Sequence, residues 1–190
     1  MSADVERHQR ACSAFTAIVD LVRPAQWSGP TPCSEWDAGA LVEHVIGFHD
    51  FLLLRPAAVR AERPRSDPAQ RWRATDAAIR QVLASPAILD RPVEYFDGAT
   101  RRPREMLPAL TTDVLVHTWD LGRAIAGPDR LDPDLCERAL RDARRSAQPR
   151  QTSALFGPVV PVPEGFDSQS SLLALLGRDP LWQPLRSARP

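Results

Sequence analysis

Lysine is absent from this chain. All 24 basic residues are arginine, set against 24 acidic residues, for a formal net charge of zero over 190 residues. That balance removes the electrostatic case for nucleic acid or an anionic membrane as a partner. Cysteine is scarce, with Cys12, Cys33 and Cys136 widely spaced and no CxxC. An odd, dispersed set builds neither a disulfide framework nor a zinc knuckle, and a reducing cytoplasm is the expected location. No stretch approaches the roughly 20 apolar residues needed to span a bilayer. The opening MSADVERHQRACSAF has no apolar run of the kind a signal peptide carries.

Helical periodicity dominates what is present. Residues 4–23 place Val5, Cys12, Phe15, Ile18, Val19 and Val22 near helical spacing, with Pro24 ending the run. A loop dense in turn formers, WSGPTPCSEW, leads to a second helix that Asp37 can cap and that reaches about Arg55, ahead of Pro56. Residues 68–84 form a third, with Pro68 suited to its first turn. VEYF reads as a short strand or extended segment, followed by a DG turn. A fourth helix begins between Arg104 and Pro108 and runs to about Ala126, before Gly127-Pro128. A fifth runs from Asp132, a candidate cap, to about Ala147. QTSALFGPVVPVPEGF is Pro-rich and extended, SQSSLLALLGRD is a short helix with Gly177 past its end, and Trp182 is placed to pin the segment beyond. Together these predict an all-α bundle in one domain, with a helical core over 1–148 and a tail over 149–190 packing on it.

The fourth helix carries the chemistry. In LTTDVLVHTWDLGRA, Asp113 and His117 stand one turn apart on a face shared with Leu110, Leu121 and Ala124. A carboxylate and an imidazole aimed into a core must be satisfied, because each unpaired buried polar group costs about 1–3 kcal/mol. The two could hydrogen-bond each other or water, or both could ligate one divalent ion, as the two histidines of H-E-x-x-H do. A metal would call for a third protein ligand, leaving a fourth position open. His8 sits near a charged terminus expected to fray, which leaves His44 and His49. These are ~140° apart on the helical wheel, so they should not face one site together. His49 shares a stripe with Val42, Val45 and Leu52, and His44 one with Leu41, Phe48 and Phe51, so the wheel does not choose between them.

TPCSEWDAGALVEHVIG and LVHTWDLGRAIAG resemble the metal-binding domain of mycothiol-dependent maleylpyruvate isomerase and its actinobacterial relatives, within the DinB-like superfamily of four-helix bundles. FGPVVPVPEGF followed by LLALLGRDPLW is similar to the ending of one branch of that family, so the resemblance spans nearly the whole chain. Its most specific parts are the W-x7-H of Trp36 and His44 and the D-x-x-x-H-x-W-D of residues 113–120. The resemblance implies three metal ligands: His44, Asp113 and His117. It implies a divalent ion, zinc first, with mycothiol or a similar small thiol as co-substrate attacking an electrophilic substrate. Asp113 stands where the isomerase usually has glutamate, and the isomerase adds a C-terminal domain that contributes to its active site. The metal site is therefore carried over, while the reaction is not.

Three expected functions follow. The first is a metal- and thiol-dependent transferase or isomerase, the second a non-catalytic metal-binding or ligand-sensing bundle, and the third a structural bundle whose histidines are only core residues. A fourth protein ligand such as His49 or Asp120 would favour the second. His49 is otherwise expected in the core or behind a ligand. Asp120, one turn past His117, either accepts a hydrogen bond from a ligand imidazole or, the preferred reading, makes a surface or interhelical salt bridge with an arginine such as Arg123. Trp36 and Trp119 are expected as core anchors. Cys33 is expected to be inert, and RAERPRSDPAQRWR to be a solvated face. No heptad seam demands a dimer, so a monomer or homodimer is expected.

Overall fold

Most of the helices open on a short polar side chain that accepts from the first free backbone N–H groups. In the computed structural model, which describes residues 2–65, 67–145, 157–163 and 165–184, Ser2 caps α1 (Ala3–Val19) and Asp37 caps α2 (Ala38–His49). Asp67 caps α3 (Pro68–Leu83), with Pro68 in the first turn where its missing N–H costs nothing. Asp132 accepts from Asp134 N and Leu135 N ahead of α6 (Pro133–Arg145), and Asp167 caps α7 (Ser168–Leu175). Between them lie a one-turn α4 (Pro86–Leu89) and α5 (Leu107–Ala124). The only sheet among the described residues is an antiparallel pair, β1 (Val93–Glu94) with β2 (Thr100–Arg101), closed by a turn in which Gly98 takes φ +76°. VEYF is thus half strand, and the DG turn is a hairpin turn.

Four helices close a circuit: α1 lies along α5, α5 against α2, α2 against α3, and α3 back against α1. The fold is all-α, as the periodicity predicts. Phe15, Leu41, Trp72, Ile79 and Leu110 fill its middle. Trp72 satisfies its indole N–H on Thr16 Oγ1 at 2.8 Å and meets Phe15 edge-on. α6 packs against the outer side of α5, and α7 against α6. As a result α5 is buried continuously from Asp113 to Gly122 rather than along one stripe. Gly122 is required by this crowding, since a Cβ there would stand 2.2 Å from Pro128 O.

Several boundaries differ from the sequence reading. α1 stops at Val19, and residues up to Val22 continue as turns. α2 does reach the predicted neighbourhood of Arg55, but its last turn, Asp50–Leu54, widens into a π-helix. Pro56 explains the local bonding, because it has no N–H to offer the carbonyl of Leu52. That carbonyl accepts instead from the Tyr95 hydroxyl at 3.1 Å. α5 ends at Ala124, and the left-handed residue after it is Ala126 (φ 54°), not Gly127. The predicted end of the fifth helix at Ala147 and the start of the tail, residues 149–156, lie outside the described residues. Residues 157–163 carry no regular structure, and Trp182 packs half-buried against the core. Arg63 and Arg71 are not free in solvent: Arg63 binds Asp50 and Thr75, and Arg71 binds Glu43. Among the described residues no helix is long and apolar enough to cross a membrane.

Candidate metal centre

α2 and α5 bring His44, Asp113 and His117 together. His44 Nε2 is 3.2 Å from Asp113 Oδ1, and His117 Nε2 is 3.5 Å from the same oxygen. One ligating atom from each of the three lies within 4.8 Å of the other two. The Asp113 and His117 side chains are almost fully buried, while His44 is 20% exposed, so the group has one accessible side. Trp36 stacks on that histidine at 4.3 Å between ring centroids and leans toward His117 at 5.7 Å. It is therefore a half-buried wall of the site rather than the core anchor expected. Trp119, by contrast, is a core residue.

Burial alone would push the Asp113 carboxyl up, but His117 and His44 facing it reverse this and hold it ionised, below the ordinary carboxylate range. Burial alone would lower His117, and Asp113 together with Asp120 reverses that, so it is held well above an ordinary histidine. The pocket thus favours positive charge at its centre. Asp113 Oδ2 is buried and has no hydrogen-bond partner. Two imidazoles, one carboxylate and an orphaned carboxylate oxygen fit a divalent ion of the kind such mixed donor sets hold.

Asp120 makes the hydrogen bond to a candidate ligand imidazole, the less favoured of its two readings, and its ion pair is buried and with Arg178 rather than at the surface with Arg123. It is completely buried, and its Oδ2 takes His117 Nδ1 at 2.9 Å. That contact leaves His117 Nε2 for Asp113 or a metal, the role a carboxylate plays behind a ligating histidine. The cation opposite Asp120 is Arg178, 3.2 Å away from Nη2 and 95% buried as a side chain. Sequence reasoning missed Arg178 altogether. Its only local signal is Gly177, whose φ of +82° and close approach to the Gly157 backbone turn the chain after α7. Arg178 Nη2 also stands 3.0 Å from Cys33 Sγ, which itself lies 3.4 Å from Asp120 Oδ2. Cys33 is held there by a loop in which the Thr31 hydroxyl donates to the carbonyls of Cys33 and Trp36 and accepts from Cys33 N. His49 does not join this group. It lies with His8 and Cys12, and His8 is fully buried rather than frayed, because α1 begins at Ala3 and turns residues 5, 8, 12 and 15 into the bundle.

A helical bundle presenting two histidines and an aspartate from two adjacent helices defines a class of candidate metal-dependent proteins. Residues 8–122, which include all three of these side chains, match the model of the mycothiol maleylpyruvate isomerase N-terminal domain, and the chain belongs to that family. Two uncharacterized proteins of Mycobacterium tuberculosis, Rv0738 and MT0763, are each 36% identical to it over 176 residues, covering 90% of this chain and 95% of theirs. The crystal structures of a mycothiol-dependent maleylpyruvate isomerase and of a histidine-to-alanine mutant of it share the fold. Each has a TM-score of 0.53 at 16% identity over 74% of this chain, and the match spans 66% of the isomerase.

Proposed function

We propose that this protein binds a divalent metal, zinc first, through His44, Asp113 and His117, and acts as a transferase or isomerase dependent on a low-molecular-weight thiol such as mycothiol. The observation that carries this reading is the convergence of the three donors around Asp113 Oδ1, with Asp113 Oδ2 buried and unpartnered. When bound, such an ion supplies Lewis acidity and lowers the pKa of a thiol or water that reaches its open position. Asp113 neutralises charge at the centre, and Asp120 holds the His117 ring with Nε2 turned inward. His117 and, after it, Arg178 keep Asp120 ionised by facing it. Trp36 covers His44 and narrows the accessible side, which favours a small thiol and a small electrophile over a macromolecule.

The reading of a closed, non-catalytic site called for a fourth ligand from His49 or Asp120. His49 belongs to a different cluster, and Asp120 engages the far nitrogen of His117, so neither supports it.

Elemental mass spectrometry on untagged protein, beside His44→Ala and His117→Ala, tests the metal. Near-stoichiometric metal lost in both variants is expected. Its absence from protein prepared without chelators would leave a hydrogen-bonded triad. Conjugation of mycothiol to small electrophiles by the metal-loaded protein tests the activity, and failure of every electrophile class would return the protein to metal binding alone.

A further inference from the structure

Between α1 and the end of α2 lies a second group of donors that the proposed function does not use. His8 and Cys12 are one turn apart on α1, and His49 closes α2. All three are buried to within 1% of complete, and one ligating atom of each lies within 4.8 Å of the other two. His8 Nε2 and Cys12 Sγ are 3.6 Å apart, and the two imidazole rings are 5.2 Å apart between centroids.

The surroundings fix both tautomers. His8 Nδ1 is 3.1 Å from Thr111 Oγ1, and the Thr111 hydroxyl donates its own hydrogen to Leu107 O at 2.6 Å. The hydroxyl oxygen therefore accepts, His8 carries its hydrogen on Nδ1, and Nε2 keeps a lone pair toward Cys12. His49 Nδ1 is 2.7 Å from Val45 O, which can only accept, so the hydrogen is again on Nδ1. His49 Nε2 is left with a lone pair, fully buried and without a hydrogen-bond partner. Two lone pairs thus compete for one S–H, which leaves one of them unsatisfied at a cost of about 1–3 kcal/mol. Each ring is pinned through the nitrogen that a metal would not use, the arrangement usual behind ligating histidines.

We infer that His8, Cys12 and His49 form a second metal site, distinct from the His44–Asp113–His117 group, for a soft cation of the copper(I) or zinc type. Two imidazoles and one thiolate are a soft donor set. On binding, the Cys12 S–H gives its proton to solvent, the sulfur–His8 hydrogen bond is replaced by a metal–sulfur bond, and no change of oxidation state is involved. A monovalent ion with one thiolate is neutral overall, which suits a site this dry. Asp76 on α3 also acts on Cys12 and His49 and has its Oδ1 buried without a partner, but its Oδ2 already pairs with Arg80 at 2.8 Å, which further favours the monovalent ion.

The test is cobalt(II) and copper(I) titration under reducing conditions, on native protein and during refolding, since all three donors are enclosed. The carrier is His44→Ala/His117→Ala with Cys33→Ser, which removes the first group and its neighbouring thiol. The expected result is one equivalent of cobalt with a near-ultraviolet sulfur-to-cobalt charge-transfer band, or one equivalent of copper(I) held against a copper(I) chelator. Either should be lost on adding Cys12→Ser. Binding of neither ion, or binding unaffected by Cys12→Ser, overturns the assignment. If Cys12→Ser does not fold by circular dichroism, His49→Gln takes its place. X-ray absorption on the loaded carrier then decides independently, a shell of one sulfur and two imidazole nitrogens supporting the site and a shell without sulfur refuting it.

Discussion

Replacing Arg178 by methionine removes the charge facing Asp120 while keeping much of the side-chain length. Asp120 is fully buried and Arg178 nearly so, and Asp120 Oδ1 already lacks a partner, so the carboxylate has little to fall back on. Breaking a buried ion pair from one side costs about 3–5 kcal/mol, far more than the ~0.2–1 kcal/mol of an exposed pair. Asp120 keeps its contact with His117 Nδ1, so the lower end, ~3 kcal/mol, is expected. For a chain of this size that corresponds to a thermal midpoint roughly 6–12 °C lower by calorimetry. Because Asp120 orients a ligand of the proposed site, metal affinity should also fall on the order of 10–100-fold. Arg178→Met combined with Asp120→Asn should be milder than the two separate losses summed. A loss below ~1 kcal/mol with unchanged metal affinity would refute the reasoning, since Asp120 would then be held well enough by His117 and Cys33.

Zinc at 100 times its dissociation constant should stabilise wild-type protein by about 2.7 kcal/mol, and His117→Ala should cancel that gain in the same calorimetric scan. Tyr95→Phe leaves the Leu52 carbonyl without its donor and should cost ~1 kcal/mol in urea unfolding. The Asp97 carboxyl, held at about 2 by Arg101 and the Ala99 N–H, should titrate there by NMR. Its folded value lies below the ordinary one, so its contribution to the hairpin is complete above the normal carboxylate range and disappears as pH falls through about 2. Arg101→Gln should return it toward that range. Of the three thiols, half-buried Cys33 should react with a disulfide reagent in native protein, while Cys12 and Cys136, buried and pushed up in pKa, should react only on unfolding. Cys33→Ser should abolish the native reaction.

What was legible in the sequence is what short-range pattern determines. Asp37, Pro68 and Asp132 mark helix starts by groups a residue or two from the backbone they serve, and Asp113 and His117 share a face by spacing alone. The choice of His44 over His49 came from likeness to a family, because the wheel admits either toward a bundle core. The failures at His8 and Asp120 share one cause. Their sequence neighbours do not reveal their environments, which are set by elements far along the chain, while Trp36 meets a side chain of the next helix only eight residues on. Thr111 on α5 fixes His8, Arg178 beyond α7 fixes Asp120, and the imidazole of His44 fixes the place of Trp36. Nothing near Asp120 in sequence announces a partner 58 residues away. The π turn after His49 was likewise hidden, since Pro56 predicts an interruption and not its form.

The position of Arg178 also sets an order of events during synthesis. Every helix of the four-membered circuit has been made well before residue 178 emerges, and local helix contacts form quickly. Until α7 and the turn at Gly177 arrive, Asp120 has been enclosed by α5's neighbours with only His117 and the Cys33 thiol facing it, and no arginine. The bundle can therefore be assembled while its interior carboxylate is still uncompensated. A ribosome paused before that point would hold a nascent chain whose shape is nearly complete and whose His117 imidazole is not yet locked in place.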